Sequence, residues 1–407
     1  MNSELVARVA EIVEGVRSGG DEALLHYTKL FDGMSLRPED LRVDPDSLKS
    51  VATRADSQTL NAFRRAIDNI RSFHINQLER SWKIQTADGT TVGQRILPLS
   101  SAGLYVPGGK AAYPSSVVMN AIPAQVAGVA RIAIATPPAT LEDSPLVAAM
   151  ILELGIQEVY RIGGAQAIAA LAFGTESVPR VDKIVGPGNV YVAIAKKLVY
   201  GSVGIDAIAG PTEVVVLADQ SARPEFVAAD LLAQAEHDLE ASAICITTSM
   251  ALAKQTADQI AEQLKSLERR ETAASSIEKY GAIFVVESIE AGCELVNLIA
   301  PEHLELMTSD NDRTASMIEN AGALFFGEWS PEPVGDYFAG PNHVLPTVST
   351  ARFSSPLGVY DFLKRQSIIH YSPDSLRANA DAIAMMADAE GLTAHKRAVL
   401  IRLKDRS

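Results

Sequence analysis

The stretch Asp230-Leu-Leu-Ala-Gln-Ala-Glu-His-Asp238 carries an amide and an imidazole three residues apart. It holds no Gly or Pro, and Leu231, Leu232 and Ala235 recur at helical spacing, so it reads as a helix. Gln234 and His237 then share one face, a turn apart. An amide oxygen beside an imidazole nitrogen suits a borderline metal such as Zn²⁺. Alone, the pair is better read as a polar helix face with one surface histidine. Its weight comes from residues further along.

Ala300-Pro-Glu302-His303-Leu-Glu runs from a loop into a strand. Adjacent Glu302 and His303 at a strand mouth can supply two general bases, and a histidine titrates near neutrality. A solvated Glu beside a satisfied His is the commoner meaning of a lone pair. Asp336 offers a hard oxygen ligand from a long irregular loop. His395, with Glu390 five residues before it, reads alone as a helix-surface histidine. Together Gln234, His237, Asp336 and His395 are possible metal ligands and Glu302–His303 an acid/base pair. Spacing leaves open whether they converge.

Elements must position these groups. Up to about residue 80 the chain reads as helices: Val6, Val9, Ile12, Val13 and Val16 form a stripe, and Gly19-Gly20-Asp21 ends it. His26 and His74 lie there as structural or surface residues. A hairpin is expected over 85–100 around Asp88-Gly89. The Gly/Pro-rich run from Gly103 to Asn120 predicts a turn opening a helix near Ser115 and Ser116, a possible anion site. Strands then alternate with helices from Arg131 to Phe326, which means parallel sheet covered on both faces. The strands are too many for one sheet, so two α/β units are expected, with ligands at the carboxyl ends of strands. Gly186-Pro187-Gly188-Asn189 sits at a strand-to-helix turn and can bring backbone close to a phosphate. A helix is expected over Thr314–Asn320. Gly327 to Ser355 reads as one irregular loop, and loops of that length are usually functional. Two helices close the chain, Ser375–Ala389 and Thr393–Lys404.

Composition narrows the class. Of 407 residues, 47% are hydrophobic and 21% charged, the profile of a globular chain with a large core. The net charge of −14 argues against a nucleic-acid partner. No apolar run is long enough for a membrane span. The N-terminus is an amphipathic helix start rather than a signal peptide, so a cytoplasmic protein is expected. Cys245 and Cys293 fall inside apolar elements and are expected to be buried free thiols.

The motifs, taken in order, are similar to those of the histidinol dehydrogenases, zinc- and NAD-dependent enzymes of histidine biosynthesis. The resemblance spans nearly the whole chain. It is carried by Gly103-Leu-Tyr-Val-Pro-Gly-Gly, Gly163-Gly-Ala-Gln-Ala-Ile, Val185-Gly-Pro-Gly-Asn-Val-Tyr-Val and Ala209-Gly-Pro-Thr-Glu-Val. Further along it is carried by Ala233-Gln-Ala-Glu-His-Asp, Ala300-Pro-Glu-His-Leu-Glu, Gly335-Asp-Tyr, Gly340-Pro-Asn-His-Val-Leu-Pro-Thr and Glu390-Gly-Leu-Thr-Ala-His395.

The resemblance implies two Rossmann-like doubly wound α/β units, a helical N-terminal region and a small helical C-terminal dimerisation segment. In these terms residues 1–104 are the N-terminal part of domain 1, 105–213 a Rossmann-like domain 2 on the NAD side, and 214–357 the remainder of domain 1. Residues 358–407 cross to the partner of a homodimer. One zinc per subunit falls to Gln234, His237, Asp336 and His395. Glu302 and His303 match the catalytic pair, and Tyr105, Gln166 and Asn189 the NAD contacts. Thr212, His343 and Glu390 match positions around the amino-alcohol, along with His303 and the four zinc ligands. His395 and Glu390 would complete the partner's site. Two departures stand out. Thr212 stands where the family is expected to carry Ser, which adds a methyl beside the substrate. The chain also begins within what corresponds to the family's first long helix, leaving contacts at that end of the dimer open.

Two rival readings use the same residues. A dehydrogenase of this scaffold acting on another polar alcohol, such as a sulfonated diol, would want Arg or Lys where His343 and Glu390 stand. A non-catalytic zinc-bridged dimer would not need Glu302 and His303, and both are present.

Overall fold

The computed structural model describes residues 3–108 and 113–404. Gly109, Lys110, Ala111 and Ala112, within the expected anion-binding turn, lie outside the described residues. The chain divides into two compact units. One runs to Gln77 and resumes over Leu99–Phe362; the other comprises Leu78–Pro98 and the chain from Leu363 onward.

In the second unit, β1 (Trp82–Gln85) and β2 (Thr91–Pro98) form the expected antiparallel hairpin. Gly89 takes φ 83° at the turn, a conformation that glycine adopts freely. In the first unit, β3 (Ser101–Tyr105), β4 (Arg131–Thr136), β5 (Glu158–Arg161), β6 (Lys183–Val185) and β7 (Gly204–Ile205) make a parallel sheet ordered β5-β4-β3-β6-β7. A second parallel sheet holds β8 (Glu213–Ala218), β9 (Ser242–Thr247), β10 (Ala282–Val285), β11 (His303–Met307) and β12 (Ala323–Phe326), ordered β10-β9-β8-β11-β12.

Both sheets are doubly wound. The first strand lies in the middle, the chain winds outward on one side, then crosses back to fill the other. The central strands are buried on both faces: every residue of β3 is buried, and Val214 to Leu217 of β8 are fully so. That explains why these strands are continuous apolar runs. Cys245 and Cys293 are buried and free, as expected.

Several elements differ from expectation. β13 (Leu363–His370) pairs antiparallel with β2 along its length, from Leu363 opposite Pro98 to His370 opposite Thr91. It lies where only helices were expected, because its sequence has no apolar alternation and most of its side chains are exposed. Pairing with β2, rather than its own pattern, makes it a strand. The helix expected over Thr314–Asn320 is shorter and earlier, Asn311–Ala315. The Asp310 carboxylate caps it by accepting from Arg313 N at 3.0 Å, which sets the start. The irregular loop from Gly327 contains a helix, Glu332–Tyr337. The first helical run, Ser3–Asp32, turns at Gly20 (φ 54°, ψ −137°), within the expected break.

Candidate active site

The helix Pro224–Ala235 connects β8 to β9. A helix linking parallel strands runs back against them, so its last turn reaches the amino edge of the sheet. Gln234 sits in that last turn and is fully buried. The helix ends before His237, so the two residues do not share a helix face; His237 N instead donates to the Gln234 carbonyl at 3.2 Å in the following turn. The His237 side chain is exposed.

β11 begins at the same edge. Glu302 precedes its first residue, His303, and both are buried. This site therefore lies at the amino ends of β8 and β11, not at carboxyl ends as expected. The Glu302 carboxylate and the Thr212 hydroxyl are 2.5 Å apart, and Glu302 Oε2 also accepts from Glu213 N at 3.0 Å. His303 Nδ1 lies 3.1 Å from the Glu213 carbonyl. A carbonyl only accepts, so Nδ1 carries the proton and Nε2 is the basic nitrogen. Nε2 has no hydrogen-bond partner, and it faces Asp336 Oδ1 at 3.7 Å and Glu332 Oε1 at 4.0 Å.

Glu332 was not singled out from sequence. It stands four residues before Asp336 on the short helix Glu332–Tyr337, which places both carboxylates on one face. That spacing was the available signal, hidden by reading the segment as loop. Glu332 is buried, and its backbone N donates to Glu305 Oε1 at 2.8 Å. Its carboxylate also fixes Gln234. The Gln234 amide lies between Glu332, whose two carboxylate oxygens are 2.8 and 3.1 Å away, and the Thr212 hydroxyl, 2.7 Å away.

Charge is crowded here. Burial lifts Glu302 above the ordinary carboxyl range, opposed by His303 and by the Thr212 and Glu213 donors. Burial likewise pushes Glu332 up to about 8. Burial alone would lower His303, but Glu302 with Asp336 and Glu332 carries it to about 10. Burial would raise Asp336, yet its interaction with His303 holds it below the ordinary value. Behind them Asp230 is raised to about 6 by burial, and burial raises Glu305 further, with the Asp230 charge adding to it. So many buried acids call for a cation. His237, Glu332 and Asp336 bring one ligand atom each within 4.8 Å of one another. With the Gln234 amide beside them, this imidazole, carboxylate and amide set fits a divalent metal such as zinc. His343, half-buried with Nε2 unpartnered, lines an apolar cavity of about 410 Å³ together with Asp336, Phe325 and Leu345. Glu390 and His395 belong to the second unit and are exposed there, at the end of one helix and within the next.

The other sequence-marked residues gather at the carboxyl edge of the first sheet. Tyr105 ends β3, and its hydroxyl accepts from Gly164 N at 3.0 Å; burial pushes the phenol up to about 12, so it stays neutral. Gln166 is buried and donates to Asp32 Oδ2 at 3.2 Å. Asn189 is exposed after β6 and caps the helix Val190–Val199, accepting from Tyr191 N and Val192 N at 3.0 and 3.2 Å. Tyr105 and Asn189 thus also do structural work. Gly186 has φ 116°, and a Cβ there would meet the Tyr105 carbonyl at 2.2 Å, so only glycine fits. The buried Lys196–Asp206 ion pair holds that peptide from both sides. Lys196 Nζ donates to the Gly186 carbonyl at 3.0 Å, and Asp206 Oδ2 accepts from Gly186 N at 2.7 Å. The helix Gly164–Phe173 starts after Gly163, which has no side chain to cap it. The glycine turn and helix start after β6, beside the reversal of strand order, suit a dinucleotide.

Comparison with known proteins follows the same lines. The family model for histidinol dehydrogenase matches residues 1–403. The histidinol dehydrogenase of Geobacillus kaustophilus is 53% identical over 399 residues, covering 97% of this chain and 93% of its own. That of Bacillus subtilis is 52% identical over 397 residues, covering 97% and 92%. The crystal structure of histidinol dehydrogenase from Elizabethkingia anophelis superposes with a TM-score of 0.93 at 38% identity, covering 99% of this chain and 93% of that one.

Proposed function

The chain belongs to the histidinol dehydrogenase family, and on that premise we propose that it oxidises L-histidinol through L-histidinaldehyde to L-histidine, using NAD and one zinc per subunit. The observation that carries this reading is His303 Nε2. It is fixed by the Nδ1 contact to Glu213, has no partner of its own, and faces Glu332 and Asp336 next to Glu302.

Gln234, His237, Asp336 and, from a partner subunit, His395 would hold the zinc. When bound, it supplies a Lewis acid that positions the imidazole and amine of the substrate. Tyr105, Gln166 and Asn189 would hold NAD, which would supply the hydride acceptor for each oxidation. The rest falls to this chain. His303 Nε2 takes the alcohol proton as the carbinol carbon is oxidised. Glu302 then takes a proton from water attacking the aldehyde, and the second oxidation yields the acid. Two successive oxidations need two bases, and the adjacent pair supplies both. His303 stands at about 10 amid uncompensated carboxylates. A dication held by Gln234, His237 and Asp336 would offset the field of those carboxylates, and His303 Nε2 would then be free to accept a proton.

Thr212, His343 and Glu390 complete the substrate surroundings in this reading. Carboxylates near His303 favour a cationic amino-alcohol over an anion. L-Histidinol is expected to exceed a sulfonated diol in kcat/KM by about 10²-fold or more, measured as NADH formation. A better rate with the diol would shift the reading to another polar alcohol.

The enzyme acts as a homodimer in which Glu390 and His395 serve the partner's site. Their exposure on the second unit supports this. Mixing a His303→Asn chain with a His395→Asn chain is expected to restore activity, since one hybrid site keeps both residues. Verified heterodimers without recovery would count against a shared site. Among the described residues no helix is long and apolar enough to cross a membrane.

A further inference from the structure

We propose that Lys196 and Asp206 are positioning residues for the dinucleotide: their buried ion pair fixes the Gly186 peptide, and with it the turn that presents backbone to the cofactor phosphates. This rests on the NAD reading above. Lys196 Nζ donates to the Gly186 carbonyl at 3.0 Å, and Asp206 Oδ2 accepts from Gly186 N at 2.7 Å. Both polar groups of that peptide are therefore used inside the chain. Pro187 has no N–H, so Gly188 is the first residue of the turn that can donate to a phosphate. What Gly186 supplies is direction: a rotation of its peptide would re-aim Gly188 and Asn189 together.

The pair acts from beneath the turn. The Lys196 and Asp206 side chains are 3% and 5% exposed, too little surface for either to bind a cofactor directly. Lys196 belongs to the helix Val190–Val199 that the turn opens, and Asp206 follows β7, the strand beside β6. One ion pair thus ties the turn to its own helix and to the neighbouring strand. Taking two charges out of water is costly, and apolar side chains of similar volume often fill such a place with no loss of stability. The pair does what they cannot, which is to bind both ends of one peptide.

The test measures NADH binding to the zinc-loaded full chain by fluorescence titration, with the Tm and zinc content of each variant. K196M leaves the Asp206 carboxylate buried without its partner. It is expected to lower Tm and to weaken NADH binding by about tenfold. K196M/D206L removes both charges and is expected to recover most of the lost Tm. It is still expected to bind NADH about 10–100-fold more weakly than wild type, with zinc content unchanged, because both hydrogen bonds to Gly186 are gone. A pair that only stabilises the fold gives the opposite pattern: NADH affinity returns together with Tm in the double variant, and that result overturns the proposal. If the double variant does not fold, K196M decides. NADH binding within about threefold of wild type overturns the proposal, and so does loss of zinc alongside NADH. A wild-type chain that binds no NADH removes the cofactor reading and this proposal together. NADH-binding wild type with unchanged variants removes the proposal alone.

Discussion

Replacing His303 by asparagine is expected to lower the first oxidation of L-histidinol by about 10²–10⁴-fold, the range for loss of a positioned base. The substitution removes Nε2, the nitrogen left without a partner, while the shorter amide can still reach toward the Glu213 carbonyl that now anchors Nδ1. His303 is not among the proposed ligands, so zinc content should stay at one per subunit. Single-turnover NADH formation, with metal analysis of the same sample, separates the two effects. A drop below tenfold would remove His303 from the role of base. Full loss accompanied by loss of zinc would assign it a structural part instead.

Glu302→Gln is expected to change the stoichiometry more than the first rate. An amide oxygen can still accept from Thr212 and Glu213 N, so the local hydrogen bonds survive. What is lost is the capacity to take a proton from water, and the aldehyde step should fall by about 10²–10⁴-fold. The variant should therefore form close to one NADH per histidinol, with aldehyde accumulating, and should be nearly inactive when given aldehyde directly. Equal loss in both steps would contradict the division of labour between the two bases.

Much of this arrangement can be read along the chain, for identifiable reasons. Strands such as Glu213–Ala218 are buried on both faces, so they appear as unbroken apolar runs bounded by turns, and the doubly wound alternation follows. The Asp88-Gly89 turn is equally local. β13 was invisible because its order comes from β2, some 270 residues earlier by the Leu363–Pro98 and His370–Thr91 pairings. The meeting of Gln234, Thr212, Glu302 and His303 was hidden for a related reason. It depends on a returning helix and two neighbouring strands sharing one sheet edge, which spacing alone does not encode. Glu332 escaped because prolines on both sides, Pro331 and Pro333, made its helix look like loop. His237 shows the opposite error: a continuous helical pattern suggested a shared face, whereas the helix stops at Ala235.

The central claim is that this chain runs two zinc-dependent oxidations on one substrate. The direct measurement is NADH formed per L-histidinol by the purified protein when zinc-loaded, after chelation, and after zinc is restored. The account predicts two NADH per histidinol, loss of turnover on chelation, and recovery with zinc. Turnover that survives complete metal removal, or a folded zinc-loaded protein that leaves L-histidinol unoxidised, would contradict it.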